Sequence, residues 1–281
     1  MIKNKEIMVE GLNNVGYGLK ENRLIISHNF RRYYVSGSWK SSKLGGEGSM
    51  KTIKSYLAVD LQYKEMVNEY TYTDGIASII FYALFMGVYY IMGVIYNTKN
   101  IYLGNQINIT LAALCIIYVL FRGHKLSSIG FSKKNFGKSF IMGLITGGIV
   151  LLIQLLPGVM AGRQFNSVSK LISNFIYFLI SIGLTEEIIF RGFIQTRIYG
   201  IVKKPIMAIL LTAFMFMFMH IPFQMGVAHM GFFEYMSNNF ISLIITFGWH
   251  FVFNFMYSKY NSIAGPTVFH AIMNWSNYLF L

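Results

Sequence analysis

Residues 171–196 read LISNFIYFLISIGLTEEIIFRGFIQT. The run is long enough to cross a bilayer, because a spanning helix needs about 20 mostly apolar residues. It nevertheless contains two adjacent acids, Glu186 and Glu187, and a base, Arg191. A charged side chain at the centre of a bilayer costs on the order of 2.5 to 3.5 kcal/mol even on a lenient insertion scale. The run therefore predicts a membrane-spanning helix whose charged residues face polar partners inside the protein.

Six further apolar runs predict the rest of the membrane domain. The composition agrees, since 54% of the chain is apolar and only 12% is charged. We therefore expect an all-α fold, a polytopic bundle of about seven or eight transmembrane helices with a polar cavity inside it. A short or re-entrant eighth element around 221–235 is left open. The six runs lie near 75–96, 104–121, 139–160, 205–221, 236–257 and 263–280.

The net charge of +13 does not indicate a nucleic-acid partner, because the basic residues lie between long apolar runs and not on soluble helices. Their distribution orients the chain, since cytoplasmic loops of membrane proteins are enriched in Lys and Arg. The connections 122–138 and 197–204 are basic, whereas 222–235 contains no Lys or Arg. We expect a cytoplasmic N-terminus, with Arg163 and Lys170 as exceptions. The composition is rich in Ile, Lys and Asn, which favours a bacterial source. We therefore expect the chain to lie in the bacterial cell membrane.

The chain is expected to divide into four parts. The first is a polar N-terminal extension of uncertain origin, which contains short alternating pieces and ends in a flexible Gly-rich run before Met50. A cytoplasmic juxtamembrane segment follows, as an amphipathic surface helix or a solvated helix, and two transmembrane helices precede the main domain. The parts are residues 1–49, 50–74, 75–124 and 125–281.

The two adjacent glutamates are expected to have different partners. Glu187 and Arg191 are four residues apart with the acid first, so they share a helix face and can form an ion pair. Glu186 points about 100° away on an ideal helix and needs another partner. Such a cluster also suits a purely structural role or ion transport, so these acids do not define a function by themselves.

Two histidines in apolar runs have companions at helical spacing, Phe216 with His220 and His270 with Asn274. A His/Asn pair on one face can donate two hydrogen bonds to one oxygen, as an oxyanion site requires, although a lone His often joins two helices. Counting from the basic loops at about 1.5 Å per residue places Glu186, His220 and His270 roughly 16, 24 and 16 Å deep. All three can meet in one cavity.

The remaining candidates are assigned no chemistry. His250 lies within a span but lacks an acid or amide four residues away, so a structural role is expected. His28, His124 and His229 lie outside the spans. Cys115 is the single cysteine, which excludes an intrachain disulfide and leaves core packing as its role.

These motifs resemble the CPBP family, the CAAX-protease and bacteriocin-processing enzymes also called the Abi family. The sequence carries E-E-x-x-x-R as Glu186-Glu187 to Arg191, F-x-x-x-H as Phe216 to His220, and H-x-x-x-N as His270 to Asn274, in the family's order. Each motif alone is weak, but together on apolar helices they are specific. The resemblance covers roughly residues 125–280.

The resemblance implies peptide-bond hydrolysis by an active site inside the bundle. Glu186 would activate water, with His220 holding or sharing it, and Glu187 would support the site through Arg191. His270 and Asn274 would stabilise the oxyanion. A Zn²⁺ ion held by Glu186, His220 and His270 is the alternative, since Glu and His are zinc ligands. The chain has no H-E-x-x-H motif, and we favour a metal-independent glutamate mechanism.

Three function classes remain at this stage. The first is an intramembrane endopeptidase acting on membrane-associated peptides or proteins, including peptide maturation or bacteriocin processing. The second is a non-catalytic scaffold or immunity protein of the same fold. A transporter is disfavoured because no pair of corresponding helix breaks is visible. The sequence does not specify the substrate or the oligomeric state.

Overall fold

The structure is a computed structural model that describes residues 16–20, 23–28, 31–35 and 58–281. The chain divides into two compact units, Met1–Leu57 and Ala58–Leu281. The Gly-rich run at 45–49 and the expected start of a second part at Met50 lie outside the described residues.

The first unit contains a three-stranded antiparallel sheet that the all-α expectation did not include. Strand β1 pairs with β2 from Gly16 opposite Ser27 to Lys20 opposite Arg23, and β2 pairs with β3 from Leu24 opposite Val35 to His28 opposite Arg31. The β-branched and aromatic residues of these pieces have strand propensity, and two-residue connections suit hairpins. The strands are β1 (Gly16–Lys20), β2 (Arg23–His28) and β3 (Arg31–Val35).

The second unit is helical, which confirms the expected helical membrane bundle. Short 3₁₀ turns at Leu126–Ile129 and Ser276–Tyr278 supplement the helices. Its helices are α1 (Leu61–Glu69), α2 (Tyr72–Lys99), α3 (Gly104–Phe121), α4 (Phe136–Met160), α5 (Val168–Ile198), α6 (Pro205–Phe218), α7 (Ile221–Ala228), α8 (Phe232–Asn238), α9 (Phe240–Tyr260) and α10 (Ala264–Trp275).

Six helical segments among the described residues are long and apolar enough to span a membrane: α2, α3, α4, α5, α6 with α7, and α9. The expected span at 263–280 differs, because α10 has only 12 residues. At 1.5 Å per residue it extends about 18 Å, which is shorter than the roughly 30 Å hydrocarbon core. The region 221–235 contains the short helices α7 and α8. The chain is an integral membrane protein with six candidate spans.

The type of helical turn in α5 changes on both sides of the two glutamates. A three-residue α-helical turn, Thr185–Glu187, lies between π-helical segments at Phe178–Leu184 and Ile188–Gln195. The Ser181 carbonyl accepts hydrogen bonds from Asn108 Nδ2 at 3.0 Å and from Thr185 Oγ1 at 2.8 Å. Because π-helical turns are rare and occur frequently at functional sites, this winding marks the middle of α5.

Helix α10 is held against α4 by small residues. A Cβ atom on Gly143 would collide with the carbonyl oxygen of Gly265, so the two backbones can approach only without a side chain there. The Gly265 amide also donates to Ser139 Oγ at 2.8 Å. Small residues at such crossings allow close packing in membranes. This contact fixes the position of the helix that carries His270.

Helix α1 covers one end of the bundle. Tyr63 and Val67 are buried, and Gln195 Nε2 of α5 donates to the Tyr63 hydroxyl at 3.1 Å. The Asp60 amide donates to the Ser258 carbonyl at 3.0 Å. The juxtamembrane segment therefore forms an amphipathic helix over these residues, whose apolar face packs on the bundle and whose polar face is exposed.

Candidate active site

Glu187 and Arg191 form the expected ion pair inside the bundle. Arg191 Nη1 lies 3.3 Å from Glu187 Oε1, and both side chains are fully buried. The guanidinium group stacks on two rings, 4.0 Å from the centroid of Phe216 and 4.5 Å from that of Phe253. Buried cation–π contacts of this kind add to the attraction between opposite charges. The interaction predicted from four-residue spacing is confirmed.

His270 of α10 lies between the two glutamates. Its Nδ1 is 3.1 Å from Glu187 Oε1, and its Nε2 is 3.8 Å from Glu186 Oε2. The first distance is a hydrogen bond and the second is an electrostatic contact. Because an ionised carboxylate only accepts hydrogen bonds, the Nδ1–H group of His270 donates to Glu187. One imidazole thus connects both acids, an arrangement that the sequence did not reveal.

Glu186 has the freer carboxylate of the two. The side chain is buried, with 7% exposure, and its Oε2 has no hydrogen-bond partner among the residues that the structure describes. Glu187 accepts from both Arg191 and His270 through its Oε1, although its Oε2 is also without a hydrogen-bond partner among those residues. The two acids therefore differ as their positions on the helix predicted, since one is held in an ion pair and the other faces a cavity.

The cavity beside Glu186 has a volume of about 670 Å³. This is within the range of small-ligand pockets. Four of the expected polar residues, Glu186, His220, His270 and Asn274, line it, whereas Glu187 and Arg191 do not. The lining residues are Phe178, Ile182, Glu186, Phe216, His220, Thr246, Trp249, Phe253, His270, Met273, Asn274, Asn277 and Tyr278.

His220 lies where α6 ends and α7 begins, and Phe216 positions it. Its Nδ1 is 2.9 Å from the Phe216 carbonyl oxygen, and the two rings meet edge to face with centroids 5.2 Å apart. A carbonyl oxygen only accepts, so Nδ1 carries the proton and Nε2 of the neutral ring is left as an acceptor. The F-x-x-x-H spacing therefore fixes the orientation of the imidazole ring.

Eight of the thirteen lining residues were not predicted from the sequence, and two of them are aromatic residues of α9. Trp249 and Phe253 of α9 are four residues apart on one helix face, and the Phe253 ring lies 4.8 Å from that of His270. Their spacing indicated a common face, but aromatic pairs of this kind are usual in any helix core. His250 does not line the cavity and instead contacts Thr212 Oγ1 at 3.2 Å, in agreement with its expected structural role.

The zinc alternative depends on three ligands reaching one point. Within residues 58–281, no three His, Cys, Asp or Glu side chains converge in a way that could hold a metal ion. Glu186 and His270 approach each other at 3.8 Å, and His220 lines the same cavity without completing a set of three ligands in that part of the chain. These residues do not fit a zinc site in this arrangement, and we derive no step through a metal.

A comparison with protein families finds a match over the helices that carry the candidate site. Residues 168–276 match the family model described as type II CAAX prenyl endopeptidase Rce1-like. The match covers α5 to α10 and includes all five expected site residues, which agrees with the resemblance to the CPBP family. It indicates a hydrolase of the CAAX-protease type. No curated protein and no solved structure matches the chain.

Proposed function

We propose that this protein is an intramembrane endopeptidase in which Glu186 activates a water molecule. The observation that carries the proposal is the meeting of Glu186, His220, His270 and Asn274 on one cavity, with a Glu186 oxygen unpartnered among the described residues. A general base must reach the proton it removes, directly or through one water. A cavity-facing carboxylate meets that requirement, whereas Glu187 is engaged by Arg191 and His270.

The reaction divides into two proton transfers through one carboxylate. Glu186 takes a proton from water as the water oxygen forms a bond to the peptide carbonyl carbon, and the carbonyl oxygen becomes an oxyanion. The tetrahedral intermediate then collapses as the C–N bond breaks, and the carboxyl group of Glu186 gives its proton to the leaving nitrogen. The products are a carboxylic acid and an amine, which become a carboxylate and an ammonium ion when the acid proton passes to the amine, and Glu186 returns to its initial state.

His220 orients the water in this proposal. Its Nδ1 donates to the Phe216 carbonyl, so Nε2 accepts the hydrogen of the water that Glu186 does not take. This role requires the neutral ring, which the hydrogen bond to Phe216 maintains in one tautomer. Phe216 thereby supports the reaction through its backbone carbonyl and through its ring beneath Arg191.

His270 and Asn274 supply donors for the oxyanion. Asn274 carries an amide N–H and lies one helical turn after His270 on the cavity wall. The Nδ1–H of His270 is directed to Glu187, so donation into the cavity requires a second proton on Nε2. Loss of one such donor lowers rates by about 10² to 10³.

The proposed substrates are membrane-associated peptides or proteins, with maturation of a secreted or bacteriocin-like peptide as the cellular role. The lining favours bulky apolar side chains near the scissile bond, because Trp249, Phe253 and Met273 surround the polar residues. The lipid bilayer brings such substrates to a site at mid-membrane depth. Glu186 and His270 are buried at the inner end of the cavity, which strengthens the fixed hydrogen bonds there.

The proposal is tested by comparing membrane peptides from cells that express wild type, Glu186→Gln, His220→Gln or His250→Gln. His250→Gln is the matched control, because it removes a buried imidazole that does not line the cavity. New N-termini found with wild type and with the control should disappear in the other two variants. If they persist in Glu186→Gln at equal insertion, a non-catalytic scaffold or immunity function replaces the proposal.

A further inference from the structure

The two ends of the bundle differ sharply in charge. At one end, the connection between α3 and α4 contacts the turn between α9 and α10, where the Ile263 amide donates to the Gly130 carbonyl at 3.1 Å. Lys203 Nζ, from the connection between α5 and α6, donates to the Tyr70 carbonyl at 3.0 Å. We call these three connections, residues 122–135, 199–204 and 261–263, the basic face. It carries Arg122, Lys125, Lys133, Lys134, Lys203 and Lys204.

The other end is formed by the connection between α4 and α5 together with the C-terminus. The Asn166 amide donates to the Leu279 carbonyl at 2.9 Å, and the Leu281 amide donates to the Gln164 carbonyl at 2.8 Å. We call residues 161–167 and 279–281 the opposite face. Arg163 is the one Lys or Arg in these two segments, and Lys99 at the end of α2 and Lys170 in the first turn of α5 lie near the same end. By the positive-inside rule the basic face is cytoplasmic, and the opposite face is extracytoplasmic.

The cavity extends from the glutamates towards the opposite face. Glu186 is the lining residue of α5 nearest to the basic face, since Ile182 and Phe178 precede it in a helix that runs towards that face. On α10, which runs the other way, His270 comes first, and the lining continues to Asn277 and Tyr278. No lining residue of either helix lies on the basic side of Glu186 or His270 in the described chain.

The exposure of the lining residues increases from the glutamates towards the opposite face. Glu186 and His270 are buried, with 7% and 4% exposure, whereas Asn277 is exposed and Tyr278 reaches 49%. Asn277 lies two residues from the opposite face. The cavity is therefore closed at the glutamates and opens beside Asn277 and Tyr278.

The basic side of the site is closed by packed protein. Every residue from 185 to 200 on α5 and from 261 to 272 around α10 is buried. Helix α1 covers this end, and Gln195 joins it to the bundle through Tyr63 and through Asn254 Oδ1, which accepts at 2.7 Å. A peptide on the cytoplasmic side would have to displace this packing to reach Glu186.

We infer that the catalytic cavity is entered from the extracytoplasmic side, beside Asn277 and Tyr278, and that the substrate is a peptide segment already exported across the membrane. The position of the opening is inferred from the geometry and the charge distribution of the bundle. The substrate class rests on the proposed function. Asn277 and Thr246 on the cavity wall offer polar contacts to a peptide backbone, and Trp249 and Met273 offer apolar contacts to its side chains.

Cysteine labelling tests the opening without requiring proteolysis. Wild type contains one cysteine, Cys115, which is fully buried and should not react with a membrane-impermeant maleimide in the folded protein. Three variants add one reporter each: Asn277→Cys at the cavity opening, Gln164→Cys on the opposite face and Ser127→Cys on the basic face. In intact cells we expect Asn277→Cys and Gln164→Cys to be labelled, and Ser127→Cys only after the membrane is permeabilised.

Two results would overturn the inference. Labelling of Ser127→Cys but not Gln164→Cys in intact cells would mean that the chain has the reverse orientation. Protection of Asn277→Cys while Gln164→Cys reacts would mean that the cavity does not open there. Asn277→Cys combined with Glu186→Gln should be labelled like the single variant, so loss of peptide cleavage and loss of the opening are distinguished.

Discussion

Replacing Arg191 by Met tests whether the buried ion pair stabilises the bundle. Arg191 lies 3.3 Å from Glu187 and is fully buried over the rings of Phe216 and Phe253. Removing one partner of a buried pair costs about 3 to 5 kcal/mol, because an uncompensated charge remains. Met keeps the apolar stem, and His270 still donates to Glu187 at 3.1 Å. The expected loss in the free energy of unfolding is therefore near the lower limit, about 3 kcal/mol.

The double variant Glu187→Gln/Arg191→Met tests whether the loss in the free energy of unfolding comes from the unpaired charge of Glu187. With both charges removed, the protein should recover about 2 kcal/mol relative to the single variant, a coupling typical of contacting residues. Arg163→Met is the matched control, because Arg163 is exposed on the opposite face and its loss should cost less than about 1 kcal/mol. Unfolding would be followed by tryptophan fluorescence as SDS is titrated into mixed micelles. Equal losses in the single and double variants would refute the reasoning.

Two further predictions concern packing and metal dependence. Gly143→Ala should destabilise the bundle by about 1 to 3 kcal/mol and lower activity, because the new methyl group would push α10 away at Gly265. Gly148→Ala on the same helix has open space around its Cβ and should be neutral or slightly stabilising in the same SDS unfolding assay, so equal effects would contradict the packing argument. Activity should survive treatment with a chelator, and elemental analysis should find no stoichiometric metal in the active protein. Loss of activity that added Zn²⁺ restores would instead support the zinc alternative.

The spans could be predicted because a membrane helix is specified by its own length and composition. Six of the seven predicted runs coincide with helices long enough to cross. The last did not, since the Ser276–Tyr278 segment after Trp275 winds as a 3₁₀ turn and residues 279–281 pair with Gln164 and Asn166. An apolar sequence does not distinguish a spanning helix from a short helix buried by its neighbours.

The site could be predicted in part for a similar reason. Spacing of four residues on one helix gives the ion pair of Glu187 with Arg191 and the contact of Phe216 with His220. Contacts between helices depend on crossing geometry that no periodicity encodes, so the approach of His270 to both glutamates was not visible. Likewise the π-helical segments of α5 have the same apolar composition as an ordinary helix, and their winding follows from tertiary contacts such as Asn108 with Ser181.

The geometry also explains why two adjacent acids are useful where one would be costly. A lone carboxylate at mid-membrane tends to neutralise itself by binding a proton, which would remove its ability to act as a base. Glu187 holds Arg191 and the Nδ1–H of His270 in fixed positions, so positive charge lies directly behind Glu186 without capturing its Oε2 oxygen. His270 Nε2 lies 3.8 Å from that oxygen, which is too distant for a hydrogen bond. We therefore expect Glu187→Gln to lower the rate of cleavage although Glu187 does not line the cavity, because Arg191 and His270 would lose the carboxylate that holds them in position. Unchanged single-turnover cleavage by Glu187→Gln would limit Glu187 to a structural role.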